Sequence, residues 1–230
     1  MVYIGIDVGG TGVQVGVVDK HGHILAKDSF PTGVGRPYQE MIRDMADCTR
    51  SAVAKAGLSV EDIQSIGVGI PGLADAKTGN VIFCTNLGWR DIPLRDEFQR
   101  HLDKPVYIDN DATVAGLAES VAGVSAGTDS SVFITLGTGV GGGIILNGKL
   151  FEGNRCMGTE VGHMVIDPQG PRCGCGRRGC FEVFASSTAL IRQTRDWMEQ
   201  NPGSGLEQYL KEDGTVSGRT AFQAARAGNE

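Results

Sequence analysis

Four residues occur twice in this chain, far apart and in the same setting. Gly10-Thr11-Gly12-Val13 returns as Gly137-Thr138-Gly139-Val140, and Gly16 matches Gly143 at the same offset. Apolar residues flank both copies, so each reads as a strand, a glycine turn carrying a threonine, and a return strand. No coiled-coil heptad and no solenoid period accompanies them. Glycine and threonine are common in hairpins for reasons of turn chemistry alone, which is the bland explanation of the echo. The functional explanation is two phosphate-binding hairpins, one per domain, facing a shared cleft. Glycines let the backbone approach a phosphate and aim N–H groups at it.

The residues around the turns sharpen this. Asp7 ends the first strand, in Asp7-Val8-Gly9-Gly10-Thr11. A carboxylate there repels phosphate unless Mg²⁺ lies between them. Thr11 adds a hydroxyl donor. In the second copy, Gly137, Gly139 and Gly142 also spell G-x-G-x-x-G, the dinucleotide fingerprint. That fingerprint needs a helix next, whereas Ile144-Ile145-Leu146-Asn147-Gly148 reads as a strand and a turn.

Around these turns the pattern is α/β. VYIGIDVGG, GVQVGVVD and HILAKDSF read as three strands in a meander. Met41, Met45, Ala52 and Val53 recur at helical spacing between Tyr38 and Ala56, with Gly57 as the stop. IQSIGVGIPG is a buried strand, Leu94 to Leu102 a helix, PVYIDND a strand, and ATVAGLAESVAG a small-residue helix. The expected division is a first α/β domain over 1–111 and a second over 112–230. The second contains SSVFITLG and GVGGGIILNG, a cysteine-rich loop from Pro168 to Cys180, a helix from Ser187 to Gln200 and another near the end.

Composition excludes some functions. The net charge is −6, which argues against broad binding to nucleic acid or an anionic membrane. No apolar run is long enough to span a bilayer, and Met1 to Gly5 lacks the basic start of a secretory signal. The expected compartment is the cytoplasm, where thiols stay reduced. Six cysteines then need another explanation, and Cys173, Cys175 and Cys180 are clustered. Their C-x-C-x4-C spacing, with glycines for tight turns, suits one Zn²⁺. His163 is the nearby histidine for the fourth place and Cys156 competes with it. A site closed by four protein ligands is structural, because no position remains for a reactive water. A disulfide and unliganded thiols are the alternatives.

Three further groups are candidates. Asn110-Asp111 stands at the C-terminal end of a strand, where α/β proteins place ligands. A carriage of the proton from a substrate hydroxyl suits Asp111, and capping of the following helix suits it equally. Glu160 and His163, in Gly158-Thr159-Glu160-Val161-Gly162-His163, and Glu182, just past the last cysteine, can be oriented by a zinc loop toward one pocket. Read singly, the two glutamates are ordinary surface charges. Asn86 and Trp89 pair a polar group with an aromatic that serves a site or the core.

Together these segments resemble the ROK family of sugar kinases. The resemblance runs from Gly5 to Glu182 through DVGGTGVQVGVVD, GIPG, TNLGW, IDNDA, TLGTGVGGG, GTEVGH and CGCGRRGCFE, in that order. It implies an actin-like, hexokinase-like (ribonuclease H-like) fold of two domains. It implies Asp111 as general base and Asn86, Asn110, Asp111, Glu160, His163 and Glu182 as sugar contacts. It implies Asp7, Gly9, Gly10, Thr11, Thr138 and Gly139 around ATP and Mg²⁺, and His163, Cys173, Cys175 and Cys180 on structural zinc. The CTNLGW form is most similar to bacterial glucokinases, so glucose is the expected sugar. N-acetylglucosamine, N-acetylmannosamine and fructose are the alternatives, and a homodimer is expected from the family.

Two departures qualify the resemblance. Thr113 follows IDNDA where many members carry asparagine, a change expected to affect helix packing more than chemistry. Family members also continue past the point matching Glu230, so the second domain is expected to be incomplete and ATP binding weak. ROK relatives include sugar-responsive repressors, but no helix-turn-helix precedes the first strand here. A sugar-binding protein without catalysis is the remaining alternative.

Overall fold

Strand β1 (Val2–Val8) alternates strictly: Val2, Ile4, Ile6 and Val8 are buried, while Tyr3, Gly5 and Asp7 face outward. It pairs antiparallel with β2 (Gly12–Val18), which pairs antiparallel with β3 (Ile24–Pro31), giving the expected meander. The computed structural model describes residues 1–228. Helix α1 (Tyr38–Lys55) buries Met41, Ile42, Met45, Ala46, Ala52 and Val53 and packs on β2 and β3. Gly57, at φ +70°, ends it in the left-handed conformation that favours glycine.

Strand β4 (Ile63–Ile70) then runs parallel to β1 on its other side. A small antiparallel sheet follows, with β5 (Leu73–Asp75), β6 (Asn80–Cys84) and β7 (Trp89–Ile92) in the order β5-β6-β7. This sheet was not expected; its strands are too short for a period of two to show. Arg95 ties it to the main sheet, donating from Nε to the Val106 carbonyl at 2.9 Å and from Nη2 to the Ala76 carbonyl at 2.7 Å. After α2 (Leu94–Gln99), β8 (Val106–Asn110) pairs parallel with β4 and completes a sheet of order β3-β2-β1-β4-β8. The carboxyl ends of β1, β4 and β8 therefore lie together.

Helix α3 (Asp111–Ala122) follows β8 directly. A three-stranded sheet of order β11-β10-β9 comes next, from β9 (Ser131–Leu136), β10 (Val140–Leu146) and β11 (Lys149–Leu150). The cysteine loop leads to α4 (Glu182–Ala185), α5 (Ser187–Gln200) and α6 (Thr220–Arg226). Asn229 and Glu230, the end of the expected last helical segment, lie outside the described residues.

The chain divides into two compact units: Met1–Phe133 with Gly143–Thr159, and Ile134–Gly142 with the chain from Glu160 on. The expected boundary at 111/112 would part β8 from α3, whereas α3 here stays in the first unit. A Cβ on Gly116 would lie 2.8 Å from the Gly143 Cα, so helix and strand approach backbone to backbone there. Among the described residues, no helix is long and apolar enough to cross a membrane.

Candidate functional site

In the first unit, Asp7, Gly69 and Asp109 occupy one row across three neighbouring parallel strands. Residues in register on parallel strands face the same side, so both carboxylates rise from one face with Gly69 between them. The missing side chain leaves room for the start of α3. A Cβ on Gly69 would lie 3.3 Å from the Asp111 Cα and 3.1 Å from the Val114 side chain. Gly69, in the GIPG segment, was not singled out from the sequence, because only the strand register shows what stands above it.

The strand ends at Asn110 and Asp111 opens α3, so the period-two alternation of β8 does not extend to Asp111. The capping role goes to Asn110, whose Oδ1 accepts the Ala112 and Thr113 N–H groups at 3.0 and 3.1 Å. Its Nδ2 donates to the Gly72 carbonyl at 3.1 Å. Asp111 is the first helical residue, and its Oδ1 accepts the Ala112 N–H at 2.8 Å. Burial pushes the Asp109 carboxyl above the usual range, with Glu152 adding to it against the Asn110 N–H. Thr113 is buried, with its hydroxyl hydrogen-bonded to that of buried Thr159 at 3.1 Å.

The first glycine turn joins β1 to β2. The Gly9 N–H donates to the Gly12 carbonyl at 2.9 Å, and a Cβ on Gly9 would clash with that oxygen. Asp7, Gly10 and Thr11 are exposed. Asn86 is exposed on the short 3-10 turn Thr85–Leu87, and Trp89 is 5% exposed within the core of this unit, so the core role holds for it.

In the second unit, the Gly137 N–H donates to the Gly139 carbonyl at 3.0 Å, closing the second turn. Glu182, at the start of α4, reaches this turn. Its Oε2 accepts the Val140 N–H at 3.0 Å, and a Cβ on Gly139 would lie 2.4 Å from that oxygen. The GTEVGH segment also closes on β10: a Cβ on Gly162 would lie 2.1 Å from the Val140 carbonyl oxygen. Glu160 and His163 flank that contact, with Glu160 Oε2 3.9 Å from His163 Nε2.

The opposite nitrogen of the same ring faces sulfur, with His163 Nδ1 3.6 Å from Cys173 Sγ. Cys175 Sγ and Cys180 Sγ are also 3.6 Å apart. The ligand atoms of His163, Cys173, Cys175 and Cys180 all lie within 4.8 Å of one another. Tetrahedral zinc with Zn–S of about 2.3 Å separates its ligand atoms by roughly 3.6–3.8 Å, so the four residues fit such an ion. Cys156, the competing ligand, lies in the first unit. All six cysteines are free thiols, so no disulfide forms in this loop. Cys180 is fully buried, and its thiol is pushed up to about 12 by that burial and then by the Cys175 and Cys173 thiols beside it. The neighbouring Arg177 N–H holds the Cys175 thiol below its ordinary value.

The ROK family model matches residues 3–230 of this chain, the span that holds the carboxylate row, the two glycine-threonine turns and the Cys₃His cluster. This chain belongs to the ROK family. It is 35% identical over 226 residues to a glucokinase of Halalkalibacterium halodurans, an alignment covering 98% of this chain and 68% of that protein. It is 37% identical over 227 residues to a glucokinase of Thermotoga maritima, covering 98% and 70%. A crystal structure of a ROK glucokinase from Streptomyces griseus with glucose and AMPPNP superposes with a TM-score of 0.80 at 35% identity, covering 100% of this chain and 72% of that one. Its fold is thus the α/β fold of ROK hexose kinases.

Within this ROK chain the expected site residues form two groups. Asp7, Gly9, Gly10, Thr11, Asn110 and Asp111 surround the carboxyl ends of β1, β4 and β8, with Asn86 on the adjoining small sheet. Thr138, Gly139, Glu160, His163 and Glu182 gather with the three cysteines around the start of β10.

Proposed function

We propose that this protein transfers the γ-phosphoryl group of ATP to the 6-hydroxyl of glucose, with Asp111 as general base. The observation that carries this is the placement of Asp111 at the β8–α3 junction. Asn110 Oδ1 takes two N–H groups at the helix start, and Asp111 stands over Gly69 at the sheet's carboxyl end. Similarity to glucokinases, and to a ROK glucokinase that binds glucose and AMPPNP, supports the substrate pair.

In this reading Asp111 accepts the hydroxyl proton as the O–P bond forms and the bond to ADP breaks. Asp7 would hold Mg²⁺, which would neutralise phosphate charge, and the N–H groups of the glycine turns would take phosphate oxygens. Asn86, Asn110, Glu160, His163 and Glu182 bind sugar hydroxyls. For Asn110 the capping bonds still leave one amide hydrogen for that purpose. His163 Nδ1 and the three thiolates would hold a structural Zn²⁺, and with Nδ1 so engaged Nε2 would be left for the sugar. The first hairpin and base belong to the first unit, the second hairpin and zinc loop to the second. The protein is read as a cytoplasmic enzyme without nucleic-acid or membrane partners, working as a homodimer as its family resemblance implies.

A coupled ATP-dependent assay over glucose, fructose, N-acetylglucosamine and N-acetylmannosamine tests this. Glucose is expected to give the highest kcat/KM. Absence of phosphorylation with every sugar, with sugar binding intact, would replace the kinase by a sugar-binding protein.

A further inference from the structure

The two glycine turns share more than sequence: their carbonyl groups are taken by donors from outside the motif. In the first unit, Thr32 follows β3 and is fully buried. Its Oγ1 donates to the Gly9 carbonyl at 2.6 Å and its N–H to the Thr11 carbonyl at 3.2 Å. In the second unit, Ser187 and Thr188 open α5. Ser187 donates to the Gly137 carbonyl from both N and Oγ at 2.8 Å, and Thr188 Oγ1 donates to the Thr138 carbonyl at 2.8 Å.

A carbonyl and the N–H of the next residue belong to one planar trans peptide and point opposite ways. Fixing the Gly9 oxygen therefore aims the Gly10 N–H. Fixing the Gly137 and Thr138 oxygens aims the Thr138 and Gly139 N–H groups. Among the described residues nothing accepts these three N–H groups. An unbraced glycine peptide can rotate and present its carbonyl to the ligand, which repels an anion. Three hydroxyls, drawn from two unrelated places in the chain, prevent this in both turns.

We propose that Thr32 in the first unit, and Ser187 and Thr188 in the second, are positioning residues that hold the Gly10 amide and the Thr138 and Gly139 amides, each within its own unit, in the orientation that accepts phosphate oxygens. The proposal rests on the kinase reading above and adds residues that none of the chain's phosphate motifs contains. They touch no phosphate themselves.

Calorimetric titration with Mg-ATP, magnesium tripolyphosphate and glucose separates positioning from folding. Thr32→Val and Thr188→Val are each expected to weaken both phosphate ligands by roughly five- to tenfold, as loss of one hydrogen bond implies. Glucose affinity should stay within about twofold, and Thr32→Ser should restore Mg-ATP binding because it restores the donor. Thr188 is exposed, so its variant remains folded if buried Thr32→Val does not. Unchanged phosphate binding in Thr188→Val overturns the proposal. So does a parallel loss of glucose affinity, or failure of Thr32→Ser to rescue a folded Thr32→Val. Wild-type protein that binds neither phosphate ligand overturns the kinase reading and this proposal with it.

Discussion

Glu182 Oε2 accepts the Val140 N–H at 3.0 Å, while Glu182 Oε1 lies 3.9 Å from Cys173 Sγ. One carboxylate thus spans from the cysteine loop to the end of the second glycine turn. A hydrogen bond to a charged group is worth about 1.5–3 kcal/mol, so its loss is felt roughly tenfold or more. Glu182→Ala is expected to speed hydrogen exchange at the Val140 amide by at least that factor. Glu182→Gln retains an acceptor and should keep most of the protection. Equal exchange in all three proteins contradicts the role of this bond.

Asp111 and Gly69 form a second test. Asp111→Asn keeps the shape but removes the base, and general-base catalysis supplies about 10²–10⁴-fold. Turnover is expected to fall by that amount with sugar affinity nearly unchanged, read by rapid-quench kinetics and glucose titration. Gly69→Ala pushes on the Asp111 backbone without touching its carboxylate. It should lower kcat tenfold or more through misplacement while sparing the affinity for Mg-ATP. Normal turnover in Asp111→Asn removes Asp111 from the mechanism, and normal turnover in Gly69→Ala means that the start of α3 gives way to the added Cβ.

The Cys₃His cluster makes a prediction independent of turnover. Elemental analysis should find about one zinc per chain, and a chelator should lower the unfolding temperature. Cys180→Ser and Cys173→Ser should each abolish stoichiometric zinc. Thiols bind zinc as thiolates, so uptake releases protons and tightens as pH rises. Titration in two buffers of different ionisation enthalpy measures that release.

The link between α1 and β3 carries a pH dependence. Lys55 Nζ lies 2.8 Å from Asp28 Oδ1 and, with Ser51 and the Ser29 N–H, lowers the carboxyl from 3.8 to about 2. A folded pKa below the unfolded one stabilises fully above the unfolded value and is lost as pH falls through the folded one. Asp28→Asn should therefore be less stable than wild type above about pH 4, and the two should converge near pH 2. The pair is partly exposed, so the difference is under about 1 kcal/mol. Urea midpoints across this range measure it.

Much of this was legible in the sequence because the signals were local. The meander came from alternation, α1 from its apolar spacing and Gly57, and the metal cluster from cysteine spacing with His163. The legible site residues are those whose chemistry sits inside a motif. Thr32, Ser187 and Thr188 stand outside the motifs they brace, and hydroxyl residues at strand and helix ends are common. Gly69 acquires meaning only from the register that sets it between Asp7 and Asp109. The β5–β7 sheet escaped because strands of three to five residues show no period. Asn110 and Asp111 could not be placed on separate elements until the strand was seen to end between them.

The order β3-β2-β1-β4-β8 also has a consequence for how the site comes into being. Contacts among β1, β2 and β3 join neighbours along the chain, so they close small loops and form quickly. Pairing of β4 on β1, and then of β8 on β4, closes long loops and follows later. The β1–β2 turn is thus expected to form before β8, and the Asp111 that follows it, take their places. Newly made protein would pass through a stage that resembles a receptor before it becomes a catalyst. Pulse-labelled hydrogen exchange should then protect the amides of β1 and β2 ahead of those of β8.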